Sequence, residues 1–330
     1  MTRATRPWLW PLVPAYRMGL ALREFQLRAG LKPVRRLRWP VVSVGNVSAG
    51  GAGKTPLTIA LAKALKARGV QVDVLSRGYG RRRSTLPVLV DSGGTADEFG
   101  DEPLVIVREA RVPVFVAAER YEAGMLAERR SALHGSGLHL LDDGFQHRQL
   151  HRDVDILLLS SEDLSDHLLP AGNLREALHT AERADVIAIP ADEPEVAEWV
   201  KSCGWEKMVW HVQRKMDVPR IEGPVVAFCG IARPQQFFAG LESAGSRLAA
   251  RFAFPDHHLY TAGDLEKVRG AAQQSNASAL LTTEKDRVRI GAMAAGLTAS
   301  LPLITVPLRL EIEDEAGAID WLIGRISAAG

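Results

Sequence analysis

From Pro40 onward the apolar residues fall into short β-branched runs separated by stretches of helical spacing, the alternation that βα units around a parallel sheet produce. Six runs read as strands: "VVSV" from Val41, "VQVDVLS" from Val70, "VPVFVA" from Val112, "LHLLDD" ending at Asp143, "VDILLLS" from Val154 and "ADVIAIP" ending at Pro190. Between the first two, Leu57, Leu61 and Leu65 recur at i, i+4 and i+8, which predicts a helix with one apolar face. Pro56 sits in its first turn, where a missing N–H costs little, and Gly69 marks its end. A second block opens near Gly223 with "GPVVAFCGIARPQQFFAGLESAG", a strand, Gly turn and helix, and "ALLTTEKD" and "LPLITVPLRLEIED" supply further strands. The intervening "DEPEVAEWVKSCGWEKMVWHVQRK" has no clean period and reads as a linker or connecting ribbon. The pattern therefore predicts a doubly wound, mostly parallel α/β core over residues 40–220 and a smaller C-terminal α/β region over 221–330 that closes over the site.

The first 39 residues stand apart. Residues 1–40 hold nine Lys or Arg against the single acid Glu24, so that a chain of net charge +2 carries about −6 over the remainder. Trp8, Leu9, Trp10, Leu12, Val13 and Tyr16 are interleaved with Arg3, Arg6, Arg17 and Arg23, and Met18, Leu20, Leu22 and Phe25 continue an amphipathic pattern. Pro11, Pro14 and Arg17 interrupt the apolar run well short of the roughly 18–20 residues of a spanning helix. A secretory leader is not expected either, because no small-residue cleavage site follows a continuous apolar stretch. The segment reads as a membrane-surface helix suited to an anionic leaflet.

Two cysteines, Cys203 and Cys229, without a CxxC or Cys/His spacing imply free thiols in a reducing compartment. The chain lacks the basic stripe interleaved with aromatics that nucleic-acid binding calls for.

"SAGGAGKT", Ser48 to Thr55, lies between a predicted strand and a predicted helix, the setting a phosphate-binding loop requires. Ser48, Ala49, Gly50, Gly51, Ala52 and Gly53 would offer backbone N–H groups to ATP, Lys54 would neutralise its phosphates and the Thr55 hydroxyl would bind Mg²⁺. Ser48 replaces the glycine of the strict pattern. In "GLHLLDDGFQH" an apolar strand delivers Asp142 and Asp143 to the sheet edge, and either is suited to the metal. "EFGDEP" places Asp101 and Glu102 before a helix, where acids usually cap, although a kinase also needs a group to accept the acceptor hydroxyl's proton. "FPDHHLY" sets His257 and His258 in a loop, with no third ligand to suggest zinc. "SRGYGRRRS" offers Arg77, Tyr79, Arg81, Arg82 and Arg83 to an anionic ligand.

Taken in order, "SVGNVSAGGAGKTP", "LSRGYGR", "GDEP", "DDGFQHRQLHRD", "LLPAGNLRE", "FPDHH" and "LTTEKD" resemble the tetraacyldisaccharide 4′-kinase family, over roughly residues 8 to 323. The resemblance implies a P-loop kinase of lipid A (lipopolysaccharide) biosynthesis. Such an enzyme transfers the γ-phosphate of Mg·ATP to the 4′-hydroxyl of a tetraacyldisaccharide 1-phosphate, as a peripheral protein on the cytoplasmic face of the bacterial inner membrane, with no obligate protein partner. By motif, Asp101 is implied as general base and His257 as its orienting partner, with the adjacent His258 left open. Arg77, Tyr79, Arg120 and Arg175 are implied near the disaccharide or its phosphates. Asn173 departs from the Pro expected in many relatives. The competing reading, a P-loop GTPase, ATPase switch or metal-insertion protein, is weakened because "TTEKD" is not the N/T-K-x-D of guanine recognition and no His/Cys-rich tract is present.

Overall fold

The computed structural model describes residues 6–51, 53–81, 86–131, 136–298 and 301–328. Nine strands build the larger sheet: β1 (Val41–Asn46), β2 (Val72–Ser76), β3 (Val88–Leu89), β4 (Val114–Val116), β5 (Leu138–Asp142), β6 (Val154–Leu158), β7 (Val186–Pro190), β8 (Met208–Met216) and, after a long excursion, Leu308–Ile312. Four strands, β9 (Pro224–Cys229), β10 (Arg247–Ala253), β11 (Ala279–Thr283) and β12 (Leu303–Val306), make the smaller one. With Leu308–Ile312 as β13, the large sheet runs β13-β8-β7-β6-β1-β5-β2-β4-β3 and the small sheet β10-β9-β11-β12. The small sheet is parallel throughout, and the large one is antiparallel only at its rims, where β13 meets β8 and β3 meets β4.

The central strand is β1, flanked by β5 and β6, with Val44 opposite both Asp142 and Ile156. Every residue of β1, β5 and β6 is buried, as expected for parallel strands covered by helices on both faces. The predicted helix after the phosphate loop spans Lys54–Ala67 and sinks Leu57, Leu61 and Leu65 completely into the main core, alongside Val42, Val44 and Leu140. The chain order reverses around β1, so the crevice beyond the C-terminal ends of β1 and β5 is where an open α/β sheet binds its ligand.

Two parts of the sequence reading are corrected. The stretch expected to be a linker or connecting ribbon is a helix, Pro194–Ser202, followed by β8, which pairs in register with β7 from Val186↔Met208 to Pro190↔Val212. Its period is hard to read because only Trp210 and Val212 of β8 are buried while His211, Gln213, Arg214 and Lys215 face solvent. The C-terminal region is also not one contiguous unit. Pro307 divides "LPLITVPLRLEIED" into β12, parallel in the small sheet, and β13, antiparallel in the large one. The last helix, Glu315–Ser327, then buries Ala318, Ile319 and Leu322 in the large unit's core. Strands of the smaller unit therefore occupy 224–306 only.

The N-terminal segment is a 3₁₀ turn, Pro7–Leu12, leading into a helix, Val13–Arg28. Val13, Tyr16 and Leu20 pack against a core cluster that includes Phe145, Leu174 and Leu157. Arg3, on which part of the basic pattern rests, lies outside the described residues.

Candidate active site

The phosphate loop leaves β1 at Asn46 and enters its helix at Gly53, turning through positive φ at Gly50 (100°) and Gly53 (94°), conformations that glycine adopts without strain. Gly53 is also held closely, since a Cβ there would meet Leu310 Cδ1 of β13 at 3.0 Å. Ser48 is fully buried, and its hydroxyl accepts a hydrogen bond from Asn46 Nδ2 at 3.1 Å, which gives the departure from glycine a partner inside the loop. Ala49 donates its N–H to the Asn173 carbonyl at 2.7 Å, and Asn173 is itself fixed by Asp166, through its backbone N (3.1 Å) and its side-chain amide (3.0 Å). Asn173 thus braces the phosphate loop where a proline was expected. Ala52 lies outside the described residues, as do Arg82 and Arg83.

The two acids at the end of β5 have separate surroundings. Asp142 is buried beside the phosphate-loop helix, with Thr58 Oγ1 donating to it at 3.1 Å. Burial first, then Glu102 and Asp143, push its carboxyl up to about 7. Asp143 turns out of the strand at φ 51° toward cations, with Lys54 Nζ at 3.5 Å and Arg175 Nη1 at 2.9 Å. Burial opposes ionisation there, but Lys54 and Arg175 outweigh it and hold this carboxyl below its ordinary value. Among the described residues no group of three or more His, Cys, Asp and Glu side chains is arranged to hold a metal ion by itself. A P-loop cation does not need one, because a hydroxyl, phosphate oxygens and water complete its shell. Thr55 stands nearly buried on the first helical turn, and the crowded carboxylate of Asp142 is a group that a divalent cation would relieve, so the donor set fits Mg²⁺.

Asp101 opens the helix Asp101–Ala110 and is 4% exposed. His257, from the loop after β10, reaches across and places Nδ1 3.1 Å from Asp101 Oδ2. His257 itself is in the left-handed region at φ 57°, and its N–H bonds the Gly230 carbonyl at 3.2 Å, so the loop geometry aims the ring. The hydrogen bond that the ring makes to the Asp101 carboxylate is the chief cause of an imidazole pKa above its ordinary 6.5. The neighbouring His258 points elsewhere, bonding Asp264 at 3.0 Å and stacking on Phe254 at 4.8 Å, and so belongs to the start of the helix Ala262–Gln274. Tyr79 lies against His257, with ring centroids 4.9 Å apart.

One open cleft of about 1240 Å³ between the units joins these parts, lined by Gly50, Lys54, Thr55, Asp142, Asp143 and His257. Arg77, Tyr79, Arg120 and Arg175 line it too, as do Tyr16, Leu20 and Arg23 of the N-terminal helix. Arg77 and Tyr79 are exposed, whereas Arg120 is 6% exposed, donates from Nη1 to the Ala118 carbonyl at 3.0 Å and leaves its buried Nε without a protein partner. Burial, then Arg77, lower the Arg120 guanidinium to about 10. His147, also on this wall, is driven to about 4 by burial and then by Arg120, Arg152, Arg23 and Arg77. The wall is therefore positive in a way that an imidazole can sense.

Sequence reasoning passed over the helix that binds the two units together. In Glu284–Ile290, Lys285 pairs with Glu102, and Arg289 grips Asp101 through Nε at 2.7 Å and through Nη2. The signal was available as Lys285 and Arg289 at i and i+4, cations on one helix face, but what they face lies more than 180 positions earlier in the chain.

A family profile described as Tetraacyldisaccharide-1-P 4'-kinase matches residues 5–327. Among curated relatives, a tetraacyldisaccharide 4'-kinase of Koribacter versatilis is 41% identical over 95% of this chain and 97% of its own. One from Geobacter metallireducens is 37% identical over 86% and 88%. The structure is similar to a crystal structure titled as the "apo" form of LpxK from Aquifex aeolicus in complex with ATP, with a TM-score of 0.72 and 31% identity, covering 96% of this chain and 98% of that one. With this fold, this cleft and a match running nearly end to end, the chain belongs to the tetraacyldisaccharide-1-phosphate 4′-kinase family.

Proposed function

We propose that the protein transfers the γ-phosphate of Mg·ATP to the 4′-hydroxyl of a tetraacyldisaccharide 1-phosphate in lipid A biosynthesis. The observation that carries this reading is the facing of two half-sites across one cleft: the phosphate loop with Lys54, and the Asp101–His257 pair. Backbone N–H groups of Gly50, Gly51 and Gly53 and the N-terminus of the helix Lys54–Ala67 receive the β- and γ-phosphates, and Lys54 neutralises them. Thr55 and Asp142 would hold Mg²⁺, with Asp143 tethering Lys54 beside it. Bound there, the cation supplies charge neutralisation to the triphosphate.

The acceptor oxygen attacks the γ-phosphorus as the bond from that phosphorus to the β,γ-bridging oxygen breaks, and ADP leaves. A loose transition state asks little of covalent chemistry and much of positioning, so the pair's task is to take the hydroxyl proton as the new P–O bond forms. Arg77, Tyr79, Arg120 and Arg175 hold the disaccharide and its phosphate on the positive wall.

The acceptor is a lipid, and the N-terminal helix fits it. On one side Tyr16, Leu20 and Arg23 edge the cleft, and on the other Met18 and Phe25 are 71% and 62% exposed, continuing Leu22 and the Trp8 of the preceding turn. No helix among the described residues is long and apolar enough to cross a membrane. The exposed stripe rests in the surface of the inner membrane's cytoplasmic leaflet, so that the acceptor's sugar enters the cleft while its acyl chains stay in the bilayer.

Incubating the purified chain with Mg·ATP and detergent-dispersed tetraacyldisaccharide 1-phosphate should give a lipid heavier by one phosphate, attached at the 4′ position. A lipid unchanged in mass while ATP is consumed would overturn the reading.

A further inference from the structure

We propose that Tyr16 is a positioning residue for the nucleotide half of the site: from the N-terminal helix its hydroxyl fixes the backbone at Arg175, the strut on which the phosphate loop and the Asp143–Lys54 pair rest. The inference builds on the kinase reading above and gives that helix a second task beside its exposed apolar stripe.

Tyr16, Leu20, Arg23 and Glu24 stand at i, i+4, i+7 and i+8 of the helix Val13–Arg28 and so share one face. That face is fastened at several points to the chain after β5 and to residues 173–176. Tyr16 Oη donates to the Arg175 carbonyl at 2.9 Å. Arg23 donates from Nη2 to the Gln146 carbonyl and stands 3.7 Å from Glu176, and Glu24 pairs with Arg148. The turn before the helix adds Arg6, whose N–H bonds the Ala171 carbonyl at 2.7 Å, and Trp10, whose ring centroid lies 4.9 Å from that of His167. Burial, then Glu176, raise the Tyr16 phenol above its ordinary 10, so its hydroxyl stays a donor at neutral pH.

Residues 173–176 meet the phosphate loop on their other side. The Asn173 carbonyl accepts from Ala49 at 2.7 Å, Leu174 makes an antiparallel bridge with Ser48, and the Arg175 N–H donates to the Val47 carbonyl at 2.7 Å. Arg175 is therefore held by the loop through its amide and by the helix through its carbonyl. Its guanidinium continues inward, with Nη1 reaching Asp143 Oδ2 at 2.9 Å and Gln146 Oε1 at 3.4 Å. Gln146 Nε2 in turn donates to the Asn46 carbonyl at 2.7 Å, where β1 gives way to the loop, and Asp143 holds Lys54 Nζ at 3.5 Å. One residue thus connects the helix to the start of the loop through its backbone and to Lys54 at the loop's end through Asp143. Tyr16 needs no contact with ATP to act this way, because a transfer governed by positioning is sensitive to small displacements of the groups that receive the phosphates.

Tyr16→Phe removes one oxygen and keeps the ring that packs beside Val13 and Leu20. In the full chain without lipid, its Kd for Mg²⁺ with β,γ-methylene ATP, measured by isothermal titration calorimetry, should rise roughly threefold to tenfold, the span that one hydrogen bond covers. With Mg·ATP and the detergent-dispersed acceptor, kcat should fall by a similar factor while the KM for the acceptor holds. Sedimentation with anionic vesicles should match wild type, because the exposed stripe is untouched. In an Arg175→Ala background the same substitution should weaken analogue binding much less, since the strut no longer reaches Asp143. An unchanged Kd in Tyr16→Phe overturns the proposal, as does an equal loss in both backgrounds. A change confined to the acceptor's KM shows that the phenol serves the lipid directly and overturns it as well. A wild-type chain that binds the analogue but phosphorylates no lipid would strike the kinase reading and leave the binding comparison standing.

Discussion

His257 is where the chemistry is most exposed to test. Because Asp101 raises its pKa, the neutral form that can take a proton is lost as pH falls through a value above 6.5, so the acid limb of kcat should lie above that value. His257→Gln should lower kcat by about 10²–10⁴-fold with the KM for ATP little changed, and should flatten that limb. Wild-type turnover in the variant, measured by steady-state kinetics across pH, would remove the imidazole from the reaction. The phosphate-loop residues were legible because their signal is local: eight consecutive positions between a strand and a helix. The Asp101–His257 pair, separated by 156 positions, was legible only through the family's motifs, since spacing along the chain says nothing about two residues that different units bring together. Arg289 was not legible in either way, because the Asp101 carboxylate it grips lies 188 positions earlier in the chain.

Single elements carry a second kind of information. The N-terminal helix reads poorly as an amphipathic helix because it is apolar on two sides: Val13, Tyr16 and Leu20 pack inward while Met18, Leu22 and Phe25 face out. The inward set makes it part of the fold and the outward set has no partner in the described chain. Replacing Met18, Leu22 and Phe25 together with Ser should abolish sedimentation with anionic lipid vesicles and leave the thermal midpoint almost unchanged, because exposed side chains contribute little to folding. Vesicle binding equal to wild type would contradict the membrane role. The stretch read as a linker or connecting ribbon was hard to place for the opposite reason: β8 buries two side chains and shows solvent several charged ones, so hydrophobic periodicity had almost nothing to register.

At the scale of the whole molecule, the doubly wound core was legible in the alternation of runs, while the course of the C-terminus was not. One proline, Pro307, sends the chain back from the small sheet to the large one, where β13 packs beside Gly53 and the last helix covers the core. The smaller unit is thereby held at both ends, by β8 entering and β13 returning, and across the cleft by Lys285–Glu102 and Arg289–Asp101. Such an arrangement suits an enzyme that must keep water from the γ-phosphate until an acceptor is seated. The most direct measurement is the coupling of the two products. With Mg·ATP and the tetraacyldisaccharide 1-phosphate, one ADP should appear for each lipid phosphorylated and almost none without lipid. ADP formation at the same rate with and without the lipid, and no phosphorylated lipid, would contradict the account.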